Sequence, residues 1–469
     1  MTDIHCDVAV IGAGTAGLAA ERAARKAGAK TVLIDEHFAG TTCAAVGCMP
    51  SKLLIAAATA AHNVGQAHIF GIRASAPEID GRSVMKRLQK ERDAFVETTL
   101  KTINDIPAGI CVKQRAAFID QTTLSLDDGR KVIAKATVVA TGARPSIPTM
   151  FEALGDIVQT NETIFEMASL PRSIAVIGAG PLGLELAQAF ARLGVETAIF
   201  EKSDHLAALR EPDIASELKK ILAAELSVHT NVEINVTKVE GGARLQWSGA
   251  TSGHQVFESV LVATGRPPEL RGLKLGVTGV SLDDRGTPNF DSETLQCGDA
   301  PIFIAGDADG KRPVLHEASF EGTVAGRNAA LFPNVQKSRR GPPFSIMFTD
   351  PPLAVIGRPK SPHSVVGSAS FENQGRAKVD ARNVGAVRVY ADPENGRLTG
   401  AVLLGPSMDH AAHLFAWAIE RNETAGQLLR LPFYHPTVEE GLKPALRQIC
   451  KASDQSSLLD LDDGAPSGA

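Results

Sequence analysis

Cys43 and Cys48 stand five positions apart in GTTCAAVGCMPSK, residues 40–52, of a chain with six cysteines in 469 residues. The other four, Cys6, Cys111, Cys297 and Cys450, are scattered singly. That is the usage of a reducing compartment, where a close pair is more often catalytic or metal-binding than structural. A disulfide needs Cα atoms within about 7 Å, which residues five apart in a regular helix exceed, so the pair can bond only through a distorted turn. Gly47 gives the backbone that freedom, and Pro50 suits the first turn of a helix that KLLIAAATAAH continues. The pair is therefore expected at a helix N-terminus, where the dipole favours thiolate, and its chemistry is thiol–disulfide exchange. Zinc is the competing reading, but CxxxxC is looser than usual metal-ligand spacing and no second CxxC or HxxxH completes a tetrad; no metal is expected. Far along the chain, PFYHPTVEEG sets His435 five residues before Glu440. A histidine can exchange protons with a thiol near neutrality and a carboxylate can orient its ring, although a His-Pro pair in a loop is also an ordinary structural feature.

Two nucleotide folds can position these groups. VAVIGAGTAGLAAERAARKAGAKTVLIDE reads as strand, glycine turn, helix and strand, with Gly12, Gly14 and Gly17 in GxGxxG order and Asp35 ending the second strand 23 positions after Gly12. SIAVIGAGPLGLELAQAFARLGVETAIFEK repeats the pattern with Gly178, Gly180 and Gly183, and Glu201 again stands 23 positions on. In each, the glycines let backbone approach a pyrophosphate at a helix N-terminus, and the acid can accept from a ribose hydroxyl. Glu201 would repel a 2′-phosphate, with Lys202 the only base beside it, so NAD is favoured over NADP.

Two similar strands, VVATGARP (138–145) and LVATGRPPE (261–269), end in turns at Gly142 and Gly265 and close a nucleotide domain or the crossover out of it. IFIAGDAD ends a third strand at Asp307, either a plain turn residue or an acid facing a polar cofactor chain. After residue 340 a proline-rich stretch opens strands (AVRVYAD, GAVLLG) and an amphipathic helix (HAAHLFAWAIE), a further α+β domain without a phosphate motif. The closing SDQSSLLDLDDGAPSGA has little to bury and reads as a mobile tail.

With 44% hydrophobic and 22% charged residues the composition is that of a soluble globular chain, too long for one core. No uninterrupted apolar stretch reaches the roughly 20 residues of a spanning helix, and the start MTDIHCDVAVIG has no basic n-region. The expectation is a cytoplasmic protein with no membrane partner. A net charge of −5 without a basic block gives no footprint for nucleic acid.

Taken in order, GAGTAG, GTTCAAVGCMPSK, ATGARP, GAGPLGLE, ATGRPPE, IAGDA, FTDPPLAVIG and HPTVEE resemble the flavin-dependent pyridine nucleotide–disulfide oxidoreductases over nearly the whole chain, most closely the members that oxidise dihydrolipoamide. The resemblance implies an α/β fold of two nested Rossmann-like dinucleotide-binding domains plus a C-terminal α+β dimerisation domain. Its expected parts are an FAD-binding domain with the redox helix (1–148), an NAD-binding domain (149–268), a return to the FAD domain (269–340) and an interface domain with the tail (341–469). It implies that Gly12, Gly14, Gly17 and Asp35 hold the ADP half of FAD, with Asp307 on its ribityl or pyrophosphate part. Gly178, Gly180, Gly183 and Glu201 would hold NAD. Lys52 would lie near the flavin and pair with Glu185. Cys48 would face the flavin, Cys43 would exchange with the substrate, and His435, backed by Glu440, would reach across from the other subunit of a homodimer as acid–base.

The implied activity is NAD-dependent oxidation of protein-bound dihydrolipoamide, the lipoyl group coming from a partner in a 2-oxoacid dehydrogenase or glycine-cleavage complex. Alternatives are an NAD(P)H-dependent reductase of another disulfide, a transhydrogenase-like flavoprotein, or a flavin subunit valued mainly for docking. Phe433 and Tyr434 before His435 depart from the lipoamide pattern and bear on the substrate. The absence of a tyrosine gate and of phosphate-binding arginines beside Glu201 disfavours glutathione reductase. Mercuric reductase would need a vicinal cysteine pair near the C-terminus where only Cys450 stands, and soluble transhydrogenases lack the complete pair.

Overall fold

The computed structural model describes residues 2–358 and 363–453; nearly all of the stretch read as a tail lies outside them. Ile4–Ile11 is the central strand of the first sheet. Val8, Ala9 and Val10 are fully buried, as expected of a parallel strand covered on both faces. It pairs in parallel with Thr31–Asp35 on one side and Lys131–Val139 on the other. Between the first two runs the helix Thr15–Lys26, and at their junction the first glycines, make a tight corner. Gly12 is at φ +102°, and a Cβ on it would overlap the Ala140 carbonyl, while one on Gly17 would overlap the Gly12 carbonyl. Only glycine permits that φ and that approach.

The second unit repeats the construction in an all-parallel sheet of Ser227–Thr230, Glu196–Glu201, Ser173–Ile177, Ser259–Val262 and Val158–Gln159. Its helix is Pro181–Arg192, Gly178 again lies at φ +102°, and a Cβ on Gly183 would overlap the Gly178 carbonyl. Entry to and exit from this unit are tied together where the two ATG turns run side by side: Ala143 bridges Pro268, Glu269 N–H donates to the Gly142 carbonyl at 2.9 Å, and Ser146 N–H to the Gly265 carbonyl at 3.1 Å. Ile302–Ile304 then rejoins the first sheet beside Lys131–Val139, so the second nucleotide fold is inserted in the first. The helix Leu315–Leu331 lies on Thr15–Lys26 with Gly322 and Gly326 directly over the backbone of Ala16 and Ala20.

The third unit is a five-stranded antiparallel sheet, Phe344–Met347 at one edge and Val365–Ser370 at the other. The helices Met408–Glu420 and Lys443–Ala452 bury Phe415, Leu446 and Ile449 against its Val387, Val389 and Leu403. Leu414, Trp417, Leu431 and Tyr434 remain exposed on this unit, around a cleft of about 740 Å³. Residues 42–70 form a helical run that is, by length and composition alone, apolar enough to cross a membrane. Lys52 interrupts its apolar letters, so no uninterrupted stretch of spanning length lies within it. This run carries the cysteine pair and buries Leu54, Ala58 and Ala61 in the same core as residues of the Gly81–Asn104 and Pro181–Arg192 helices.

Candidate functional site

Two helices, not one distorted helix, bring the cysteines together. Thr42–Ala45 is a single turn whose Thr41 hydroxyl accepts from Ala44 N–H; the chain breaks at Val46–Gly47, and the redox helix runs Cys48–Gln66. A Cβ on Gly47 would press on the Thr42 carbonyl at 2.9 Å, which explains the glycine. Cys48 is thus the first residue of a 19-residue helix, and Cys43 lies one turn earlier. The two thiols share a hydrogen bond that puts the negative charge on Cys48. That hydrogen bond first, and the Lys52 charge against an opposing burial effect, bring Cys48 down to about 7 from its ordinary 9.0. The same hydrogen bond, then burial, pushes Cys43 up.

The break is held from outside by residues that sequence reasoning did not single out. Arg92, buried on the Gly81–Asn104 helix, reaches the Ala45 carbonyl at 3.4 Å and is fixed by Glu166 at 2.5 Å and Asp93 at 2.6 Å. Asn161 donates to the Val46 carbonyl at 3.1 Å. No motif marks either, because both act on backbone through space.

One turn into the redox helix, Lys52 Nζ meets Glu185 Oε2 at 2.8 Å. Glu185 is buried and accepts with its other oxygen from Phe348 N–H at 2.8 Å, while Lys52 lies 4.5 Å from the centre of the Phe348 ring. All three units therefore converge beside the cysteines. Phe348 stands within the FTDPPLAVIG motif, the one signal that could have found it.

The first glycine corner opens into a cleft of about 710 Å³ lined by Gly12, Asp35, Gln114 and Thr141. Asp35 accepts from Ala13 N–H at 2.8 Å and from His37 and Phe38 N–H at 2.8 and 2.7 Å, clamping the glycine turn while a carboxylate's roughly four lone-pair sites leave room for one further donor. Thr141 Oγ1 is buried with no partner, as is Arg266 Nε, whose guanidinium also holds Asp307 at 3.1 Å. Orphaned polar atoms beside a helix N-terminus fit a polar, phosphate-bearing group such as FAD. The second cleft, about 720 Å³, is lined by Gly178, Gly180, Glu201 and Phe200. Glu201 repeats the clamp, accepting from Ala179 N–H at 2.8 Å and Ser203 N–H at 2.9 Å, and Lys202 is turned to Glu233 at 3.3 Å.

His435 Nδ1 lies 3.1 Å from Glu440 Oε2, which also accepts from Thr437 N–H at 3.1 Å. Within one chain the structure brings Cys43, Cys48, Lys52 and Glu185 together, and His435 with Glu440 in a second group on the C-terminal unit. Tyr434 beside it is 83% exposed.

Comparison with known proteins places the chain in a family. Residues 6–322 match the pyridine nucleotide-disulphide oxidoreductase family and residues 344–446 its dimerisation domain. The chain belongs to this family: it is an oxidoreductase with a disulfide redox centre, of a kind that uses FAD and a nicotinamide cofactor and pairs as a homodimer. Among similar proteins are a dihydrolipoyl dehydrogenase of Bacillus subtilis (29% identical; 94% of this chain and 97% of that protein) and a mercuric reductase of Streptomyces lividans (32%; 94% and 95%). The fold is shared with LpdA from Mycobacterium tuberculosis (TM-score 0.81, 22% identity, 94% and 99% covered) and with a Cu(II) complex of the flavoprotein disulfide reductase RclA from Escherichia coli (0.80, 21%, 95% and 99%).

Proposed function

We propose that this chain oxidises dihydrolipoamide with NAD⁺, with Cys43 and Cys48 as its redox pair. The observation that carries the reading is the geometry of the pair: Cys48 opens the redox helix one turn before Lys52, which Glu185 holds at 2.8 Å, and Cys43 stands on the short helix across the break at Gly47. In the oxidised pair, a dihydrolipoamide thiol deprotonated by His435, reaching across from the other subunit of the homodimer, attacks Cys43 Sγ, and Cys48 leaves as the stabilised thiolate. The second substrate thiolate attacks its own sulfur on Cys43, closing the lipoamide disulfide and releasing Cys43, which takes a proton. Glu440 holds the ring of His435 so that one nitrogen faces the substrate. Gly12, Gly14, Gly17, Asp35, Gly142 and Asp307 would hold FAD, and Gly178, Gly180, Gly183, Glu201 and Gly265 would hold NAD. The chemistry supplied by FAD, when bound, is two-electron transfer between dithiol and nicotinamide.

Tyr434, exposed in front of His435, supports a second reading in which a disulfide other than lipoamide is the substrate. Anaerobic titration of the purified flavoprotein with dihydrolipoamide, followed by NAD⁺ turnover, separates the two. Long-wavelength flavin absorbance and rapid NADH formation support lipoamide; reduction by NADH with no response to dihydrolipoamide overturns it in favour of the second.

A further inference from the structure

The turn Gly306–Asp309 that carries Asp307 is backed by a buried charge cluster that the redox chemistry does not use. Glu321, fully buried on the Leu315–Leu331 helix, accepts from Gly306 N–H at 2.6 Å and pairs through its other oxygen with Arg340. Arg340 also meets Glu317 at 3.0 Å, and Glu317 meets Arg312 at 2.7 Å. Asp309, 2% exposed, accepts from Lys311 N–H at 2.7 Å with one oxygen; its other oxygen is buried with no N–H or O–H donor in the protein, although the Glu321 carboxyl lies within hydrogen-bond reach. Three buried carboxylates thus face two guanidiniums. Nearby charges do not complete the balance: Lys311 is exposed, Asp307 is held by Arg266, and Glu21 on the facing helix is held by Arg25 and Thr31.

An uncompensated buried charge is costly, and such a group takes up a proton instead. A proton between the two carboxyls also supplies the donor that Asp309 lacks. We propose that Glu321 and Asp309 share one proton, which brings the cluster of three carboxylates and two guanidiniums to neutrality, and that this singly protonated pair is the positioning element that sets the Gly306–Asp307 turn for the flavin. The inference rests on the flavin meeting that turn and is independent of the disulfide substrate. Burial first, and Asp309 next, push Glu321 up to about 8. Loss of the proton sets two carboxylates against each other, and Glu321 is the group that fixes Gly306. Gly306 lies at φ +69°, and a Cβ there would stand 2.8 Å from the Ala16 side chain, so the turn sits on the first fingerprint helix and its displacement reaches the cofactor cleft.

The test follows FAD fluorescence released from the purified holoprotein as pH is raised from neutral through and well beyond about 8. Wild type is expected to release flavin in a single-proton alkaline transition, while E321Q and D309N, each lacking one ionisable carboxyl at nearly constant shape, retain it over the same range. Retention by wild type throughout, or an unchanged transition in both variants, overturns the proposal. Thermal unfolding gives a readout free of flavin. A carboxyl whose folded value is raised contributes stability that is complete below its ordinary 4.5 and is lost as pH rises through about 8. The wild-type melting midpoint should therefore fall across that window and the fall should be smaller in E321Q; equal slopes overturn the shared proton. A chain isolated without flavin at neutral pH fails the cofactor reading, and the thermal slope then decides the proton alone.

Discussion

Replacing Lys52 by methionine tests whether Cys48 is kept as a thiolate by charge or only by its partner thiol. Lys52 stands four residues after Cys48 on one helix, a spacing of about 6 Å between side-chain bases. A unit charge at that distance is worth roughly 0.7 kcal/mol in water and 2.8 kcal/mol at an effective dielectric of 20, or about half a pKa unit to two. Cys48 is exposed, so the lower half of the range applies, about one unit. Glu185, which raises Cys48, loses its cation at the same time and adds to the change. Starting from about 7, the thiolate fraction at neutral pH should fall from roughly one half to roughly one tenth. The assay is the pH dependence of alkylation of the reduced pair by iodoacetamide, the faster-reacting cysteine being identified by peptide mapping. The sign is fixed: the variant's profile moves to higher pH, and Lys52→Met combined with Glu185→Gln moves it partly back. A Lys52→Met profile superimposable on wild type would refute the reasoning and leave the Cys43 hydrogen bond as the whole cause.

Cys43→Ser and Cys48→Ser should each abolish lipoamide turnover while NADH–dye electron transfer persists; full lipoamide activity in either removes the pair from the reaction. His435→Gln should slow dihydrolipoamide oxidation by about 10²–10⁴-fold, the usual worth of a general base, without altering flavin reduction by NADH in a stopped-flow trace; a parallel loss of both would point to misfolding. Glu201→Ala should weaken NADH binding about tenfold or more, since hydrogen bonds to charged groups contribute roughly 1.5–3 kcal/mol. The NADPH-to-NADH ratio of kcat/KM should rise, and an unchanged ratio would take Glu201 out of cofactor choice.

The local devices were legible in the letters of the chain. A glycine that must hold φ +102°, as Gly12 and Gly178 do, or an acid that must end the next strand, has few chemical substitutes, so short-range geometry writes itself into residue type and spacing. The same holds for Gly47, without which the break between two helices would close on a carbonyl. His435 and Glu440 are five residues apart, and their contact is equally local.

Contacts made through space left no such record. Glu185 meets Lys52 across 133 positions and Phe348 across 163; the resemblance supplied the first and nothing supplied the second. Arg92 and Asn161 act on carbonyls that every residue carries, so their identity announces nothing. The charge cluster of Asp309, Glu317, Glu321, Arg312 and Arg340 reads in sequence as ordinary surface charge. Only packing withdraws it from water, and only that withdrawal leaves three carboxylates and two guanidiniums to balance themselves with a proton.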